Sequence, residues 1–232
     1  VEKQLKAGMK ILLLGSTPEY RDLFIKYKCH VTLVDYSKDN FEAMTRLMKE
    51  KPISEKFIEA NWLDMPVADH FDLIVGDHVI NLLPLAEWQG FLENLRSLLC
   101  SSGKLLQRVV IRTIPYTKTE DAIFSMTSQL SGPELFSRVF YDLLMLSMDN
   151  AEQSVCLADA WKCLEQINAA GLLTPVQFQH FKSLSWKDSQ LKAYFISKEN
   201  IVEEVEKVFH KNTMIAGDIY YNELTFFILS EN

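Results

Sequence analysis

The sequence of 232 residues lacks the features that mark nucleic-acid-binding and membrane proteins. It has no long run of lysine or arginine and a formal net charge of -7, whereas a duplex-binding protein normally presents a basic stripe. No apolar run approaches the roughly 20 residues that a membrane-spanning helix needs, and no signal peptide is recognisable. We therefore predict neither a nucleic-acid partner nor a membrane association.

Cysteine and glycine are also scarce. The four cysteines form no C-x-x-C pair and have no metal-ligand spacing, so we expect no metal site and reduced, mostly buried thiols in a cytoplasmic protein; they are Cys29, Cys100, Cys156 and Cys163. Eight glycines are present, and none completes a G-x-G-x-x-G fingerprint. A nucleotide-linked oxidoreductase needs those glycines and therefore ranks last among the functions that we consider.

The chain contains 48% hydrophobic residues, which is enough to bury one sizeable core. In its first half, β-rich runs alternate with helical patterns. The predicted strands are Lys10–Leu14, His30–Val34, Lys56–Glu59, Phe71–Val75 and Lys104–Ile111. The predicted helices are Pro18–Tyr27, Asp39–Lys49 with Ser37 as its N-cap, and an amphipathic segment from Trp88 to Leu99 that Gly103 ends. This alternation predicts a Rossmann-like α/β fold with a mostly parallel sheet and helices on both faces.

The second half of the chain has a different pattern. A mostly helical block from about residue 117 to 185 includes a predicted helix over Ala151–Ala170, which Gly171 closes. Two strands follow, Thr213–Ile219 and Leu224–Leu229, with a turn over Tyr220–Asn222 between them. We predict a single domain, residues 1–232, with the helical block as a lid-like insertion after the fifth strand. Aromatic residues in or next to the block line either an acceptor pocket or the core; they are Tyr116, Phe124, Phe136, Phe140 and Tyr141.

The residues that follow the strands are candidates for a ligand site, because open parallel sheets bind ligands beyond the carboxyl ends of their strands. Gly15 permits a tight turn, either in a ligand loop or in an ordinary strand-to-helix connection. Asp35 comes 20 residues later, the spacing of an acid that accepts ribose hydroxyls; the alternative is an exposed acid near a helix cap. Asn61 can bond an adenine amino group and Trp62 can flank the ring, or the tryptophan covers the sheet edge.

Charged residues follow the fourth strand and lie in the fifth. Asp77 can meet an ammonium group or steady a sulfonium. His78 can take a proton from an acceptor nucleophile, although a lone histidine beside a strand is more often structural. Arg108 can reach a substrate carboxylate or phosphate, or it can pair with Asp77, which is the interpretation that we favour.

Taken together, these residues resemble a known family. The run L-L-L-G-S-T-P-E-Y, the N-W-L-D-M-P loop and F-D-L-I-V-G-D are similar to class I S-adenosylmethionine-dependent methyltransferases, and in particular to a bacterial branch with a G-x-T-P-E glycine loop. The resemblance implies a seven-stranded sheet with an antiparallel last strand, and S-adenosyl-L-methionine as cofactor. It implies that the methionine part of the cofactor faces Gly15, Ser16, Thr17 and Glu19. It further implies that Asp35 and Tyr36 hold the ribose, that Asn61 and Trp62 hold the adenine, and that Asp77 and His78 border the amino-acid end and the acceptor as catalytic residues.

We therefore expect a methyltransferase that acts on a small-molecule acceptor. The second and third glycines of the family's loop are missing here, so the alternative is a catalytically inactive methyltransferase-like binding or regulatory protein. Methyl transfer from a sulfonium mainly needs alignment, exclusion of water and removal of any acceptor proton. The absence of a sharp catalytic motif is therefore compatible with activity.

Overall fold

The computed structural model describes residues 1–51, 55–112, 117, 119–125, 139, 141–182, 186–209, 211–216 and 225–231. The chain divides into two compact units. The first unit consists of Val1–Val110, Glu199–Ala216 and Phe226–Asn232, and the second of Ile111–Lys198 and Gly217–Thr225. The helices of the structure include none that is long and apolar enough to cross a membrane, within the ranges just given.

The first unit is built around a mostly parallel sheet. The described strands of the chain are β1 (Lys10–Leu14), β2 (His30–Asp35), β3 (Glu55–Glu59), β4 (Phe71–Asp77), β5 (Leu99–Val110), β6 (Ser154–Cys156), β7 (Lys192–Tyr194), β8 (Lys211–Ala216) and β9 (Thr225–Glu231). The main sheet has the order β3-β2-β1-β4-β5-β9-β8. Strands β1 to β5 pair in parallel, whereas β8 and β9 pair antiparallel. The predicted α/β fold with a mostly parallel sheet is confirmed.

Helices follow the strands, as the alternating pattern predicts. They are α1 (Pro18–Lys26), α2 (Lys38–Leu47), α3 (Leu85–Ser97), α4 (Glu120–Ser125), α5 (Leu157–Ala169), α6 (Pro175–Lys182) and α7 (Lys198–Val208). The predicted cap of α2 is confirmed, because Ser37 Oγ accepts a hydrogen bond from the Asn40 amide at 3.2 Å. The amphipathic pattern of α3 is also confirmed, since Trp88, Phe91, Leu92 and Leu95 are buried.

The central strands are buried on both faces, which is why their sequences are continuous apolar runs. In β1, Ile11 to Leu14 have no exposed surface. Ile11 and Leu13 pack in a cluster with Leu33 and with Phe24 of α1. Burying one such side chain contributes roughly 1.5–3 kcal/mol, so this cluster fixes α1 against the sheet directly after the β1 tip.

The predicted end of α3 at Gly103 is wrong. The helix stops at Ser97, and Gly103 lies inside β5, where the pairing with β4 shifts register between Phe71 and Leu73. A Cβ atom on Gly103 would lie 2.8 Å from the Phe71 carbonyl oxygen. The glycine therefore serves the close approach of two strands rather than the end of a helix.

In the second unit, the predicted helix over Ala151–Ala170 starts too early. Residues 151–153 form a turn, β6 follows, and α5 begins at Leu157. Asp149 accepts hydrogen bonds from the amides of Ala151 and Glu152, which stabilises the turn. Strand β6 pairs antiparallel with β7, a partner 36 positions along the chain in the pair of Cys156 with Lys192. The predicted end at Gly171 is confirmed by its φ of 76°.

Two aromatic residues of the predicted insertion are core residues of the second unit. Phe124 and Tyr141 are buried, and the Tyr141 hydroxyl donates a hydrogen bond to the Ile111 carbonyl at 2.7 Å. The core alternative therefore holds for both. Tyr116, Phe136, Phe140 and the predicted turn over Tyr220–Asn222 lie outside the described residues.

Candidate functional site

The tips of three neighbouring strands meet at one edge of the sheet. Leu14 is paired with Val34 of β2 and with Gly76 of β4, so the residues that follow these positions lie side by side. The loop after β1 connects the other two tips. Ser16 Oγ donates to Asp35 Oδ2 at 2.5 Å, and Thr17 Oγ1 donates to Asp77 Oδ2 at 3.3 Å.

Gly15 has a conformation that other residues rarely adopt. Its φ is 92°, and its amide donates to the Val34 carbonyl at 2.8 Å. A Cβ atom added here would lie in van der Waals contact with Trp62 Cζ2, at 4.0 Å. The turn after β1 therefore lies directly beside the indole.

Asp35 is buried and has one hydrogen-bonding position left. Its side chain accepts from the Ser16 hydroxyl, from the Ser37 amide at 3.1 Å and from the Asn40 side-chain amide at 2.8 Å. The residue is 4% exposed, so the alternative of an exposed acid is wrong. A carboxylate offers about four acceptor positions, of which these contacts use three. The remaining position is on Oδ1, which can accept one hydroxyl group.

The other predicted cofactor contacts are at the same edge of the sheet but differ in exposure and in hydrogen bonding. Trp62 is held by a 2.8 Å hydrogen bond from its Nε1 to the Val34 carbonyl. Asn61 is exposed, and its Oδ1 accepts from the Leu63 amide at 3.0 Å, which leaves its side-chain NH₂ group for a ligand. Tyr36 is 74% exposed, and Glu19 is exposed in the first turn of α1.

Asp77 is surrounded by four polar groups. Arg108 binds it with two nitrogens, Nε to Oδ1 at 2.6 Å and Nη2 to Oδ2 at 3.0 Å, so the predicted pairing is confirmed. Thr17 occupies the second position on Oδ2, and His78 Nε2 lies 3.5 Å from Oδ1. The carboxylate accepts three hydrogen bonds, and the Arg108 guanidinium already supplies a positive charge beside it.

His78 adopts a left-handed backbone conformation at the end of β4. Its φ is 59°, and its amide donates to the Arg108 carbonyl at 2.9 Å. Its Nε2 atom is buried without a hydrogen-bond partner in the described part of the chain, although the side chain is 40% exposed. Burial lowers the pKa of His78; Asp77 raises it, and Arg108 lowers it further. The imidazole is therefore neutral near pH 7.

Sequence reasoning missed several residues of the site. The Asn40 side chain, in the first turn of α2, donates a hydrogen bond to Asp35. Its position three residues after the Ser37 cap is a signal by which the sequence could have identified it. Tyr20 lies near the Asp77 carboxylate, and burial raises the pKa of its phenol well above the usual range. Gln107 is 1% exposed, and its amide occupies the space where a side chain on Gly76 would lie. No local signal predicts this last contact, because it depends on the β4–β5 register.

Residues 16–103 match the family model described as a methyltransferase domain. The matched segment is less than half of the chain, and over it the chain is similar to a methyltransferase domain. No protein of curated function matches the chain significantly in sequence. The described segments of the chain contain no cluster of three or more His, Cys, Asp or Glu side chains that could hold a metal ion.

Solved structures are similar to this chain in fold. A methyltransferase from Methanosarcina mazei described as S-adenosylmethionine-dependent is 12% identical, with 99% of this chain and 95% of that chain covered and a TM-score of 0.59. The N-methyltransferase NodS from Bradyrhizobium japonicum, solved with S-adenosyl-L-homocysteine, is 11% identical, with 97% and 79% covered and a TM-score of 0.52. A Rhodobacter sphaeroides protein assigned provisionally to the Zn-dependent alcohol dehydrogenases is 14% identical, with 98% and 86% covered and a TM-score of 0.62. At these identities the likeness is one of fold alone.

Proposed function

We propose that the protein is a methyltransferase that binds S-adenosylmethionine at the tips of β1, β2 and β4 and transfers its methyl group to a small-molecule acceptor. The observation that carries the proposal is the state of Asp35. This carboxylate is buried at the β2 tip, is oriented by three hydrogen bonds and keeps one acceptor position on Oδ1. A ribose hydroxyl is a donor of the kind that such a position binds.

The remaining adenosine contacts follow from the same edge. The Trp62 indole lies beside the Gly15 turn, where it can flank the adenine ring. The free NH₂ group of Asn61 can donate to a ring nitrogen of the adenine. Tyr36 lies next to Asp35 with an exposed ring and can cover the ribose. The donor set thus fits an adenosyl group.

The methionine end is assigned to the loop after β1. Gly15, Ser16 and Thr17 supply backbone groups there, and Glu19 supplies an exposed carboxylate for the ammonium group. Asp77 no longer takes that role in the proposal, because the Arg108 guanidinium already pairs with its charge through two hydrogen bonds. His78 is the proposed proton acceptor, and Asp77 acts through it.

When bound, the cofactor supplies a methyl group on a positively charged sulfur, which departs as a neutral thioether. The protein therefore needs no strong electrophile. Its residues must orient the acceptor, exclude water and remove the acceptor's proton where there is one. A neutral His78 at the β4 tip is suited to the last task, since burial lowers its pKa and keeps it unprotonated at pH 7.

A second candidate is a binding or regulatory protein that keeps the fold without the chemistry. One observation favours it. Ser16 already occupies a position on Asp35, and the Arg108 fork already neutralises Asp77, so the chain's own groups satisfy much of the site. Adenosine can bind without displacing these contacts, so both candidates bind the cofactor. They differ in methyl transfer, which can be measured.

Calorimetry tests the proposal. We expect binding of S-adenosylmethionine and no binding of NAD. Asp35→Asn should weaken that affinity about tenfold or more, because a hydrogen bond to a charged group is worth roughly 1.5–3 kcal/mol. The matched control is Asp39→Asn, an exposed acid in the first turn of α2. Absence of binding, or equal losses in the two variants, would refute the placement of the ribose.

Transfer of a labelled methyl group to a pool of small metabolites separates the two candidates. Labelled product supports the enzyme, whereas tight binding without any product supports the regulatory protein.

The proposal also includes a single domain with the insertion at about residues 117–185, a seven-stranded sheet of the family type and a cytoplasmic location. The four cysteines form no disulfide bond, and they are half-buried rather than mostly buried as expected.

A further inference from the structure

We infer that Arg108 and Asp77 are positioning residues that orient His78 so that its Nδ1 atom accepts the proton of the methyl acceptor. The acceptor must then carry a proton on the atom that is methylated, as a hydroxyl or an ammonium group does. This inference rests on the proposed function. It assigns a separate role to each of the three residues Asp77, His78 and Arg108, which together form the Asp77–His78–Arg108 cluster.

Arg108 holds both neighbours of the cluster. Its guanidinium forks onto the Asp77 carboxylate, and its backbone carbonyl accepts the His78 amide. The guanidinium is planar and makes both bonds at once, so it fixes the plane of the carboxylate as well as its position. One residue of β5 thereby sets the orientation of two residues of β4.

The backbone of His78 supports a functional interpretation. A φ of 59° is uncommon for a residue other than glycine, and such conformations persist where the surrounding structure enforces them. Here the enforcing contact is the hydrogen bond to the Arg108 carbonyl. The imidazole lies beside the Asp77 carboxylate, with Nε2 at 3.5 Å from Oδ1.

The two ring nitrogens have different surroundings. Nε2 is buried and faces the carboxylate, so the neutral ring is best placed with its proton on Nε2. Nδ1 is neither buried nor hydrogen-bonded among the residues of known position, while the side chain as a whole is 40% exposed. The lone pair is then on the nitrogen that an acceptor can reach. An aspartate that orients a histidine base through its other nitrogen is an established catalytic arrangement.

The proposed step balances without another reactant. The acceptor's proton passes to Nδ1 and gives an imidazolium beside the Asp77 carboxylate; with an ammonium acceptor this transfer comes first, because it leaves the lone pair on nitrogen. That lone pair, or one of a hydroxyl oxygen, forms the bond to the methyl carbon while the carbon–sulfur bond breaks and its electron pair stays on sulfur. Solvent then takes the proton from the exposed edge of the ring. A carboxylate acceptor has no proton to give and gains nothing from this arrangement.

The pH dependence follows from the charged groups around the imidazole. These are Asp77 on β4 and Arg108 on β5; Tyr20 of α1 lies near both and stays neutral, because burial raises the pKa of its phenol. Removing Arg108 removes a positive charge and leaves Asp77 without its partner, and both changes raise the pKa of His78. In the variant without Arg108, the imidazole therefore becomes protonated, and inactive as a base, at a higher pH than in the unmodified protein.

Nuclear magnetic resonance of the full chain, labelled at histidine, tests the positioning role. Loss of one of the five histidine signals in His78→Asn identifies the residue. In Arg108→Gln its titration midpoint should rise by about one pH unit, whereas Arg46→Gln, an exposed arginine on α2, should leave it unchanged. An unchanged midpoint in Arg108→Gln would overturn the inference. Thermal unfolding shows whether each variant is folded.

Methyl transfer tests the acceptor class. With labelled S-adenosylmethionine, 4-methylphenol or hexylamine should be methylated and benzoate should not. The acid limb of the rate should follow the His78 midpoint in both the unmodified protein and Arg108→Gln, and it should vanish in His78→Asn. His70→Asn, an exposed histidine, is the control. Methylation of benzoate would overturn the inference, and so would methylation of none of the three probes. An acid limb that does not follow the His78 midpoint would also overturn it. Failure of S-adenosylmethionine to bind in calorimetry would instead refute the proposed function.

Discussion

Replacing Arg21 by methionine is expected to destabilise the first unit strongly. Arg21 lies on α1 and forms a buried ion pair with Glu55 of β3, with Nη2 2.6 Å from Oε2 and side-chain exposures of 0% and 5%. Its Nη1 also donates to Thr45 Oγ1 on α2 at 2.9 Å, and its guanidinium lies 4.7 Å from the centroid of the Phe41 ring. One side chain thus joins the two helices that begin at the candidate site to the outer strand of the sheet.

The magnitude follows from what the substitution leaves behind. Removing one partner of a buried pair strands the other charge in a medium of low polarity, which costs about 3–5 kcal/mol. Most natural domains have a total stability of only about 5–15 kcal/mol. For a chain of this size, each kcal/mol lowers the melting temperature by roughly 2–4 °C, so Arg21→Met should lower it by about 6–20 °C.

The double variant Arg21→Met/Glu55→Leu makes the reasoning refutable. Apolar replacement of a complete buried pair is often neutral, so the double variant should regain most of the lost stability. Thr45 does not become unpaired, because its hydroxyl also donates to the Phe41 carbonyl at 2.7 Å. The control is Lys26→Met, which removes an exposed pair with Glu2 and should leave the melting temperature almost unchanged, because solvent screens such a pair. Melting curves by circular dichroism give all values. A double variant less stable than Arg21→Met would contradict the electrostatic explanation.

Two further predictions use the same assays. Gly76→Ala should destabilise the protein by about 1–3 kcal/mol, because the new methyl group collides with the buried Gln107 amide, and adding Gln107→Ala should recover part of the loss in urea unfolding. Burial raises the pKa of the Cys163 thiol to about 11. Below that pH most of the thiol is protonated, and little reactive thiolate is present. Mass spectrometry after iodoacetamide treatment should find Cys163 labelled slowly at pH 8 and faster at pH 10; equal rates would contradict the expected burial.

The sequence predicted the central strands and the helix caps well because their signals are local. Strand β1 is buried on both faces and is written as one apolar run, and Ser37 caps α2 through an atom three residues from its partner. Gly103 shows where this ends. Its local context resembles a helix end, but its actual constraint comes from the Phe71 carbonyl, 32 positions away. The β6–β7 pair was missed for the same reason, since each strand has three residues and gains its identity from a distant partner.

The candidate site was predictable to the same extent. The spacing from Gly15 to Asp35 placed both residues, because it reflects one βα unit of fixed length. What the spacing cannot express is how many hydrogen bonds each side chain already has. The Arg108–Asp77 pairing was an alternative in the sequence, and it took the β4–β5 register, with Asp77 opposite Arg108, to confirm it.

The two acids at the strand tips look alike in sequence but have different capacities. Each carboxylate accepts three hydrogen bonds, but those of Asp35 come from neutral donors, whereas two of those of Asp77 come from the Arg108 guanidinium. In the proposed site the carboxylate without an ionic partner binds the ligand, and the one paired with arginine orients its neighbour. Because that neighbour, His78, has an exposed nitrogen, the proposal assigns binding to the β2 tip and proton acceptance to the β4 tip. The same substitution, aspartate to asparagine, should therefore change cofactor affinity at position 35 and the pH profile at position 77.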